Sequence, residues 1–283
     1  MRILNGKVVA QSIKDQVKEE VAKLNAIGKS VTLTVIQVGD DPASSVYVKN
    51  KENACAYCGI ESSIIKLPKH ISEAALLVLI ESLNEDTKVD GILVQLPLPK
   101  HINEYTVTQA IHPNKDVDGF HEVNVGKLMM GEDTFVPCTA AGIIKILDYY
   151  GIEIEGKNCV VVGRSNIVGK PIAMELLKRN GTVTICHSKT KRLEHYTLYA
   201  DILICAVGKP KFFNSQFIHK HNVVIDVGIH RSEDGDLCGD VDFDNVTDRV
   251  GAITPVPGGV GAVTVAMLME NCVKAAKMRG KCR

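Results

Sequence analysis

Apolar runs and amphipathic stretches alternate along the chain. Several of the apolar runs are hydrophobic almost throughout, which is typical of parallel strands that are covered on both faces. Glycine, proline, asparagine and aspartate bound these runs, which predict strands at Val31–Val38, Ser62–Leu67, Gly91–Gln95, Asn158–Val162, Thr182–Cys186, Ile202–Ala206, Val223–Val227 and Gly251–Ile253. The amphipathic stretches predict helices at Gly6–Leu24, Pro42–Cys58, Ser72–Asn84, Ala140–Tyr150, Val168–Arg179 and Gly261–Arg279. Strand–helix alternation of this kind predicts an α/β fold with parallel sheets.

The alternation occurs twice, at residues 31–95 and at 158–253, which predicts two domains. A chain of 283 residues is long enough for two, at about 100–200 residues each. The stretch His112–Phe135 between them is polar and turn-rich. We therefore place one domain at residues 1–120 and a second at 121–261, followed by a C-terminal helix at about 262–283 that can pack back on the first domain.

Composition and charge narrow the class of protein. Hydrophobic residues make up 45% and charged residues 23% of the chain, which supports a globular core and argues against disorder. With 33 basic and 33 acidic residues, the formal net charge gives no general electrostatic reason to bind nucleic acid or an anionic membrane. The chain has no run of about 18 apolar residues, and its N-terminus turns polar too soon for a secretory signal. We therefore expect a cytoplasmic protein that does not act at a membrane.

The nine cysteines predict reduced, structural thiols. Their odd number and scattered positions argue against a disulfide framework. Cys55 and Cys58 form a single CxxC pair, and a structural zinc site would need a second pair of ligands at a suitable spacing. We therefore expect no metal site.

A glycine-rich turn after the strand Asn158–Val162 indicates a nucleotide site. Gly163, Arg164, Ser165 and Gly169 stand between that strand and the next helix, as in a Rossmann-type turn whose backbone amides face a pyrophosphate. Ser165 occupies the position of the middle glycine, so the match to G-x-G-x-x-G is imperfect. A glycine turn also serves purely steric needs, which leaves a structural explanation open.

The end of the following strand favours NADP over NAD. NAD sites usually place an acidic residue there for the ribose 2′-hydroxyl, whereas this strand ends in His187, Ser188, Lys189 and Thr190. Hydroxyl groups and cations, including Arg164 in the first turn, suit a 2′-phosphate. The alternative is that Ser188 and Thr190 merely start a loop and that Arg164 is solvated.

A helix and a strand end in the first half carry candidate catalytic groups. Tyr47 and Lys51 are four residues apart in a predicted helix, so a phenol and an ammonium lie on one face and can handle protons together. Taken alone, such a pair is usually a surface pair. Gln95 ends a strand, where ligands bind in open α/β sheets, and can hydrogen-bond the lysine or a substrate amide.

Two loops complete the candidate site. Asp116 and Asp118 lie in one turn but lack the surrounding oxygen ligands of a Ca²⁺ or Mg²⁺ site, and an aspartate in a cleft can instead grip a ring with an amino group. The prolines and glycines of Thr254–Gly261 fix a turn and bring backbone close to a ligand.

In these segments the sequence resembles the bifunctional methylenetetrahydrofolate dehydrogenase/methenyltetrahydrofolate cyclohydrolase family. The motifs that carry the resemblance run in order from residue 39 to 261 and are GDDPASSVYVKNK, GILVQLPLP, NKDVDGF, PCTAAG, VVVGRSNIVGKP, CHSKT and TPVPGGVG. Together they cover essentially the whole chain and are highly specific. The resemblance implies an N-terminal α/β catalytic domain, a Rossmann-type parallel-sheet NADP domain, a folate cleft between them and a homodimeric assembly.

The resemblance also implies roles for individual residues. Lys51 matches the catalytic lysine, with Tyr47 as its helical partner and Gln95 as the group that tunes it. The residues implied to bind the tetrahydrofolate substrate are Tyr47, Lys51, Gln95, Leu96, Asp118, Pro257, Gly258 and Gly259. Those implied to bind NADP are Thr139, Gly163, Arg164, Ser165, Ser188 and Ile229. Ala140 and Ala262 depart from the family, which often has proline at both positions.

The activity implied by the resemblance has two steps. NADP⁺ oxidises 5,10-methylenetetrahydrofolate to 5,10-methenyltetrahydrofolate, which is hydrolysed to 10-formyltetrahydrofolate for purine, methionine and histidine biosynthesis. Retention of Tyr47, Lys51 and Gln95 favours both activities over the alternative, a monofunctional NAD(P)-dependent dehydrogenase of the same family. A shikimate-dehydrogenase-like enzyme would not explain the motifs of the first domain, and a non-catalytic nucleotide-binding protein would not need Lys51.

Overall fold

The computed structural model describes residues 1–231 and 235–279, which fold into two compact units. Residues 1–11 and 137–264 form one unit, called here the six-stranded unit. Residues 12–136 and the described chain from Val265 onward form the other, called the three-stranded unit. Each unit therefore combines segments that are far apart in the sequence.

The described residues form short strands and longer helices in alternation. The strands are β1 (Arg2–Ile3), β2 (Thr32–Val38), β3 (Glu61–Leu67), β4 (Gly91–Val94), β5 (Asn158–Val162), β6 (Thr182–Cys186), β7 (Ile202–Cys205), β8 (Val223–Asp226), β9 (His230–Arg231), β10 (Leu237–Cys238) and β11 (Ala252–Ile253). The helices are α1 (Gly6–Ala26), α2 (Pro42–Cys58), α3 (Glu73–Glu85), α4 (Glu104–Ala110), α5 (Glu122–Met129), α6 (Cys138–Tyr149), α7 (Gly169–Lys178), α8 (Leu193–Thr197), α9 (Phe243–Val246) and α10 (Val260–Arg279), with a 3₁₀ turn at Thr247–Arg249.

The six-stranded unit is built on a parallel sheet. Its strands follow the order β1-β11-β8-β7-β5-β6, and each neighbouring pair runs parallel. The chain leaves β5 for β6 and then returns to β7 on the other side of β5. The carboxyl ends of β5 and β7 therefore form the switch point at which open α/β sheets bind ligands. Val160, Leu203 and Phe213 belong to the buried apolar cluster of this unit, and the residues of β7 are all buried, which explains a continuous apolar run.

The three-stranded unit has a smaller parallel sheet in the order β3-β2-β4. On one face, Ile36 and Val94 of neighbouring strands pack in an apolar cluster with Ile80 of α3 and Val107 of α4. Because side chains alternate along a strand, Gln37 lies on the opposite face, where its side chain hydrogen-bonds with Ser45 of α2. The residues of that face are the ones that meet α2.

The predicted α/β class with parallel sheets is confirmed, and the predicted elements match the observed ones to within two residues at each end. The sequence pattern did not predict several short elements, including α4, α8 and the antiparallel pair β9 and β10. Helix α5 lies within a stretch that was predicted to be turn-rich. It has eight residues, begins where His121 Nδ1 accepts a hydrogen bond from the Val123 amide at 3.1 Å, and exposes Val123 and Val125. Its apolar residues therefore form no inward stripe.

The packing units and the predicted domains divide the chain at different places. The first domain was predicted to end at residue 120, whereas the three-stranded unit continues to Val136 and includes the chain from Val265. Asn124 explains the difference because its amide donates to Asp116 at 2.9 Å and accepts from Thr134 Oγ1 at 2.7 Å. Residues 280–283 of the predicted C-terminal helix, including Cys282, lie outside the described residues.

Candidate active site

Helix α2 carries the candidate catalytic residues and has well-defined ends. The Asp41 side chain accepts a hydrogen bond from the Ser44 amide at 2.8 Å, which caps the first turn. Gly59 ends the helix in the left-handed region, at a φ of 78°, where glycine has no steric cost. The two caps fix where α2 begins and ends, and therefore the positions of Tyr47 and Lys51 along the helix.

Lys51 lies on the inward face of α2. Val48, Cys55 and Cys58 are buried, and Lys51 follows their spacing of three or four residues. An apolar side chain is the usual occupant of such a position, so a half-buried lysine there points to chemistry rather than to packing. Tyr47, one turn earlier, exposes 41% of its surface.

Gln95 receives the Lys51 side chain. Gln95 follows β4, and its amide N–H extends the ladder by donating to the Ile36 carbonyl at 2.8 Å. Lys51 Nζ donates to Gln95 Oε1 at 2.8 Å, and Gln95 Nε2 donates to the Leu96 carbonyl at 2.6 Å. The second bond fixes which end of the Gln95 amide faces the lysine. The predicted Lys51–Gln95 hydrogen bond is thus present, and it joins α2 to the carboxyl end of β4.

The loop that presents Asp118 is built around its neighbour Asp116. The buried Asp116 carboxylate accepts hydrogen bonds from the Gly119 amide at 3.1 Å, the His121 amide at 2.8 Å and Asn124 Nδ2 at 2.9 Å. Burial raises the pKa of Asp116, and the hydrogen bonds from His121 and Asn124 act against that rise. Asp116 therefore shapes the loop that carries the half-buried Asp118.

The proline- and glycine-rich loop belongs to the six-stranded unit. The Gly6 amide donates to the Gly258 carbonyl at 2.8 Å, and a Cβ on Gly6 would overlap the Gly259 carbonyl group. Gly258 has a φ of 103°, which favours glycine. The Ala262 amide donates to the Gly259 carbonyl at 3.2 Å, a bond that proline could not make. Alanine in place of the family's usual proline at position 262 therefore adds a backbone hydrogen bond to this loop, in which Pro257 is exposed.

The turn after β5 is shaped by its glycines and by Ser165. Gly163 has a φ of 143°, and a Cβ there would collide with the Ala206 carbonyl that follows β7. Ser165 Oγ accepts hydrogen bonds from the amides of Val168 at 3.2 Å and Gly169 at 3.3 Å. Its hydroxyl proton is left for a further acceptor, such as a phosphate oxygen. Ser165 thus stands at the position of the middle glycine and bonds the first amides of α7.

The turn after β6 fits a phosphorylated ribose. His187 and Thr190 close it, since the His187 amide donates to Thr190 Oγ1 at 2.9 Å and the Thr190 amide donates to the His187 carbonyl at 2.8 Å. The residues between them, Ser188 and Lys189, are exposed, as is Arg164 after β5. Hydroxyl and cationic donors without a carboxylate in this turn match a 2′-phosphate better than a free diol.

Asp240 orders the loop after β7. Its carboxylate accepts hydrogen bonds from the amides of Val207, Gly208 and Lys209 at 2.7, 3.1 and 2.9 Å. His230 Nε2 lies 2.8 Å from the same carboxylate. Asp240 is fully buried, and these hydrogen bonds replace those that its carboxyl oxygens would make to water.

Asp226, at the end of β8, forms the second half of this network. Its carboxylate accepts from the amides of Gly228 at 3.0 Å, Asp240 at 2.9 Å and Val241 at 3.0 Å. Burial raises the pKa of Asp226 to about 7, against the effect of the amide donors. The network holds the chain on either side of Ile229, whose side chain is 41% exposed.

The remaining candidates lie in the same two units. Thr139, in the first turn of α6, is half-buried, with its Oγ1 3.4 Å from Thr264 Oγ1.

The buried thiols of Cys55 and Cys58 have pKa values raised by burial to about 12 and about 11, so they are neutral at pH 7 and act as packing groups.

The structure thus groups the candidates by unit. Tyr47, Lys51, Gln95, Leu96 and Asp118 belong to the three-stranded unit, whereas the predicted NADP residues and Pro257–Gly259 belong to the six-stranded unit. Sequence reasoning missed Gln37, Asp240 and the structural task of Asp116. Gln37 carried a detectable signal, because it is a polar residue inside the apolar strand TLTVIQV.

Comparisons with known proteins cover both units. The family model for the tetrahydrofolate dehydrogenase/cyclohydrolase catalytic domain matches residues 4–118, and the model for its NAD(P)-binding domain matches residues 137–280. The bifunctional protein FolD of Lachnoclostridium phytofermentans is 59% identical over 97% of this chain and 98% of its own length.

Two solved structures extend the likeness to the fold. The bifunctional enzyme FolD, methylenetetrahydrofolate dehydrogenase/cyclohydrolase, from Campylobacter jejuni is 48% identical, with a TM-score of 0.97 over 99% of each chain. The Trypanosoma brucei N5,N10-methylenetetrahydrofolate dehydrogenase-cyclohydrolase, solved with NADP cofactor and an inhibitor, is 37% identical, with a TM-score of 0.93 over 99% of this chain and 98% of its own.

Proposed function

Because the chain belongs to the tetrahydrofolate dehydrogenase/cyclohydrolase family, we propose that it oxidises 5,10-methylenetetrahydrofolate with NADP⁺ and hydrolyses the product to 10-formyltetrahydrofolate. The predicted family and the bifunctional, NADP-dependent activity are confirmed by the two family models and by the bifunctional relatives. Nothing in these matches favours the monofunctional alternative. A shikimate-dehydrogenase-like enzyme is disfavoured because the catalytic-domain model covers residues 4–118.

The Lys51–Gln95 hydrogen bond is the observation that supports the cyclohydrolase step best. Gln95 Oε1 holds the lysine amine at the carboxyl end of β4, on the face that α2 covers. We assign Lys51 the transfer of the proton that leaves water as water adds to the methenyl carbon. Tyr47 and Gln95 orient the amine, and Asp118 grips the amino-substituted ring of the folate.

The NADP site is assigned to the turns that follow β5, β6 and β8. NADP⁺, when bound, accepts the hydride at its nicotinamide. Gly163 and Ser165 offer the pyrophosphate a close approach and a hydroxyl donor, while Arg164 and Ser188 hold the 2′-phosphate. Thr139 and Ile229 contact the rest of the cofactor, and Leu96, Pro257, Gly258 and Gly259 contact the folate.

We further propose the assembly, location and metabolic place of the protein. The family to which the chain belongs supports a homodimer and a cytoplasmic location. No helix within the described ranges combines the length and apolar character that a membrane span needs. The formyl product supplies purine, methionine and histidine biosynthesis. Light scattering of the purified protein tests the assembly, and a monomer would contradict it.

A paired assay tests the two activities on one preparation. NADPH formation from methylenetetrahydrofolate is followed first, and the disappearance of added methenyltetrahydrofolate is followed second. Both rates should exceed their non-enzymatic backgrounds. NADPH formation without faster methenyl hydrolysis would contradict the cyclohydrolase, and neither rate above background would contradict the function as a whole.

A further inference from the structure

Gln37 carries a buried oxygen that the described protein leaves without a partner. The residue is 2% exposed and stands near the carboxyl end of the central strand β2. Within the described residues, no donor lies within hydrogen-bonding reach of its Oε1. A buried acceptor left unpaired costs free energy, so such an atom usually meets a ligand or an ordered water.

The orientation of the Gln37 amide is fixed by its other end. Nε2 donates to the Gly39 carbonyl at 3.2 Å, which only an N–H can do. Nε2 also donates at 3.0 Å to Ser45 Oγ, whose own proton goes to the Asp41 carbonyl at 3.0 Å. Exchanging the two ends of the amide would break both bonds to Nε2. The unpaired atom is therefore the oxygen.

The unpaired oxygen lies on the same face as the Lys51–Gln95 pair. Ile36 and Val94 are partners in the parallel ladder and share the opposite, apolar face. The next residues, Gln37 and Gln95, therefore share the face that α2 covers, on strands about 5 Å apart. Lys51 Nζ is bonded to Gln95 on that face. The three-stranded unit thus places a buried acceptor on the same face of its sheet as the candidate catalytic amine.

We propose that Gln37 is a positioning residue whose Oε1 accepts a hydrogen bond from the water that adds to the methenyl carbon. This inference rests on the proposed cyclohydrolase activity. An amide oxygen is too weak a base to remove a proton, so Gln37 orients the water and leaves the proton to Lys51. The hydrogen bond turns a lone pair of the water oxygen away from Gln37 and toward the substrate.

The chemical step balances without any further reactant. The water oxygen forms a bond to the methenyl carbon, and the π electrons of the C=N⁺ bond move to the folate nitrogen. One water proton leaves to solvent through Lys51. The C–N bond of the five-membered ring then breaks as the formyl C=O forms, and the second proton passes to the released nitrogen.

The two activities of one protein separate this role from a structural one. The dehydrogenase needs bound folate and NADP⁺ but no water, so it reports folding and substrate binding in each variant. Q37L should lower the cyclohydrolase kcat by about 100-fold, the scale expected for a misplaced reactant, while the dehydrogenase kcat and its KM for folate change little. Q37E keeps an acceptor at the Oε1 position but loses both Nε2 bonds, so it should retain more cyclohydrolase activity than Q37L.

Thr34→Val is the matched control. Thr34 is a buried polar residue of the same strand, its Oγ1 lies 3.0 Å from Ser63 Oγ, and it stands on the opposite face from Gln37. This variant should leave the ratio of the two activities unchanged. Parallel loss of both activities in Q37L, or an equal loss of cyclohydrolase in Q37L and Q37E, would overturn the proposal. A rise in the dehydrogenase KM for folate would also overturn it, because it would place folate rather than water on Oε1. Absence of cyclohydrolase in the parent protein would instead contradict the proposed function.

Discussion

Lys51 shows how one residue can depart from the pattern of its own helix. The inward positions of α2 hold Val48, Cys55 and Cys58, and burying an amine among them costs free energy unless a partner is supplied. Gln95 supplies that partner without a second charge, at 2.8 Å. A neutral partner orients the amine without adding a second buried charge.

Replacing Lys51 by methionine tests its part in proton transfer. The substitution keeps most of the side-chain volume, so we expect the fold to persist. Cyclohydrolase activity should fall by at least about 100-fold, the scale of lost general acid–base catalysis, while the dehydrogenase falls far less. The paired assay measures both rates.

Lys49→Met serves as the control for Lys51→Met. Lys49 is two residues away, 66% exposed, and paired with Glu52 at 2.7 Å. Its loss should leave both rates unchanged. Equal cyclohydrolase rates in the Lys49 and Lys51 variants would remove Lys51 from the mechanism.

Arg164 is the residue expected to make the protein prefer NADP⁺ over NAD⁺. If Arg164 makes the charge-assisted contact to the 2′-phosphate proposed above, Arg164→Ala should raise the KM for NADP⁺ by about tenfold and leave the KM for NAD⁺ nearly unchanged. Steady-state kinetics with each cofactor measures the effect. Lys170 is a second cation close by, whose Nζ donates to Asn166 at 2.8 Å, so Lys170→Ala should change neither KM. Equal effects of Arg164→Ala on both cofactors would exclude a phosphate contact.

Among helices and strands, the continuous apolar runs were the most predictable elements. Strand β5 has its predicted limits, because buried parallel strands need apolar residues at nearly every position. Helix α5 was missed, because a helix of eight residues held by a cap and by a few contacts needs no apolar stripe. Short elements of this kind depend on tertiary contacts that a local pattern does not contain.

The end of α10 shows such a contact. Arg279 Nε lies 3.1 Å from Asp90 Oδ1, and its other nitrogens donate at 2.9 Å to the carbonyls of Thr87 and Ser30. The Asp90 side chain is fully buried, burial raises its pKa, and Arg279 acts against that rise. The end of α10 thereby holds together the loops that precede β2 and β4.

Removing Arg279 should therefore destabilise the protein. Arg279→Met removes the ion pair from a buried carboxylate. Because Arg279 itself is 31% exposed, we expect the free energy of unfolding to fall by about 2 kcal/mol, as for a hydrogen bond to a charged group. Adding Asp90→Asn should recover part of the loss, because no charge is then left unpaired. Urea denaturation measures both changes.

Arg179 provides the comparison for Arg279. It pairs with Asp148 at 2.7 Å, but both side chains are well exposed, so Arg179→Met should have little effect on stability. Similar losses in the two arginine variants would show that the burial of Asp90 is not the cause.

At the scale of the whole molecule, the buried carboxylates link stability to pH. The pKa of Asp226 is raised by burial from 3.8 to about 7, so the folded protein holds a proton that the unfolded chain has lost between about pH 4 and 7. This group therefore makes its full contribution to stability below about pH 4. The contribution falls as the pH rises to about 7 and then stays constant.

Asp226→Asn should remove that dependence. Unfolding by urea at several values between pH 4 and 8 should show the stability advantage of the parent protein over the variant shrinking toward pH 7. All other titrating groups are common to both proteins, so the difference isolates Asp226. Parallel curves would mean that Asp226 keeps one charge state throughout this range.

Local pattern was sufficient for the α/β class, the longer elements, the glycine-rich turn after β5 and the Tyr47–Lys51 spacing. Each depends on residues that are close together in the chain or on a recurrent motif, so each can be recognised from the linear sequence. Folding alone brought Asp240 to the loop after β7 and Gln37 to the same face as Gln95. Those relations join residues far apart in the chain through strand register and burial, so neither periodicity nor composition contains them.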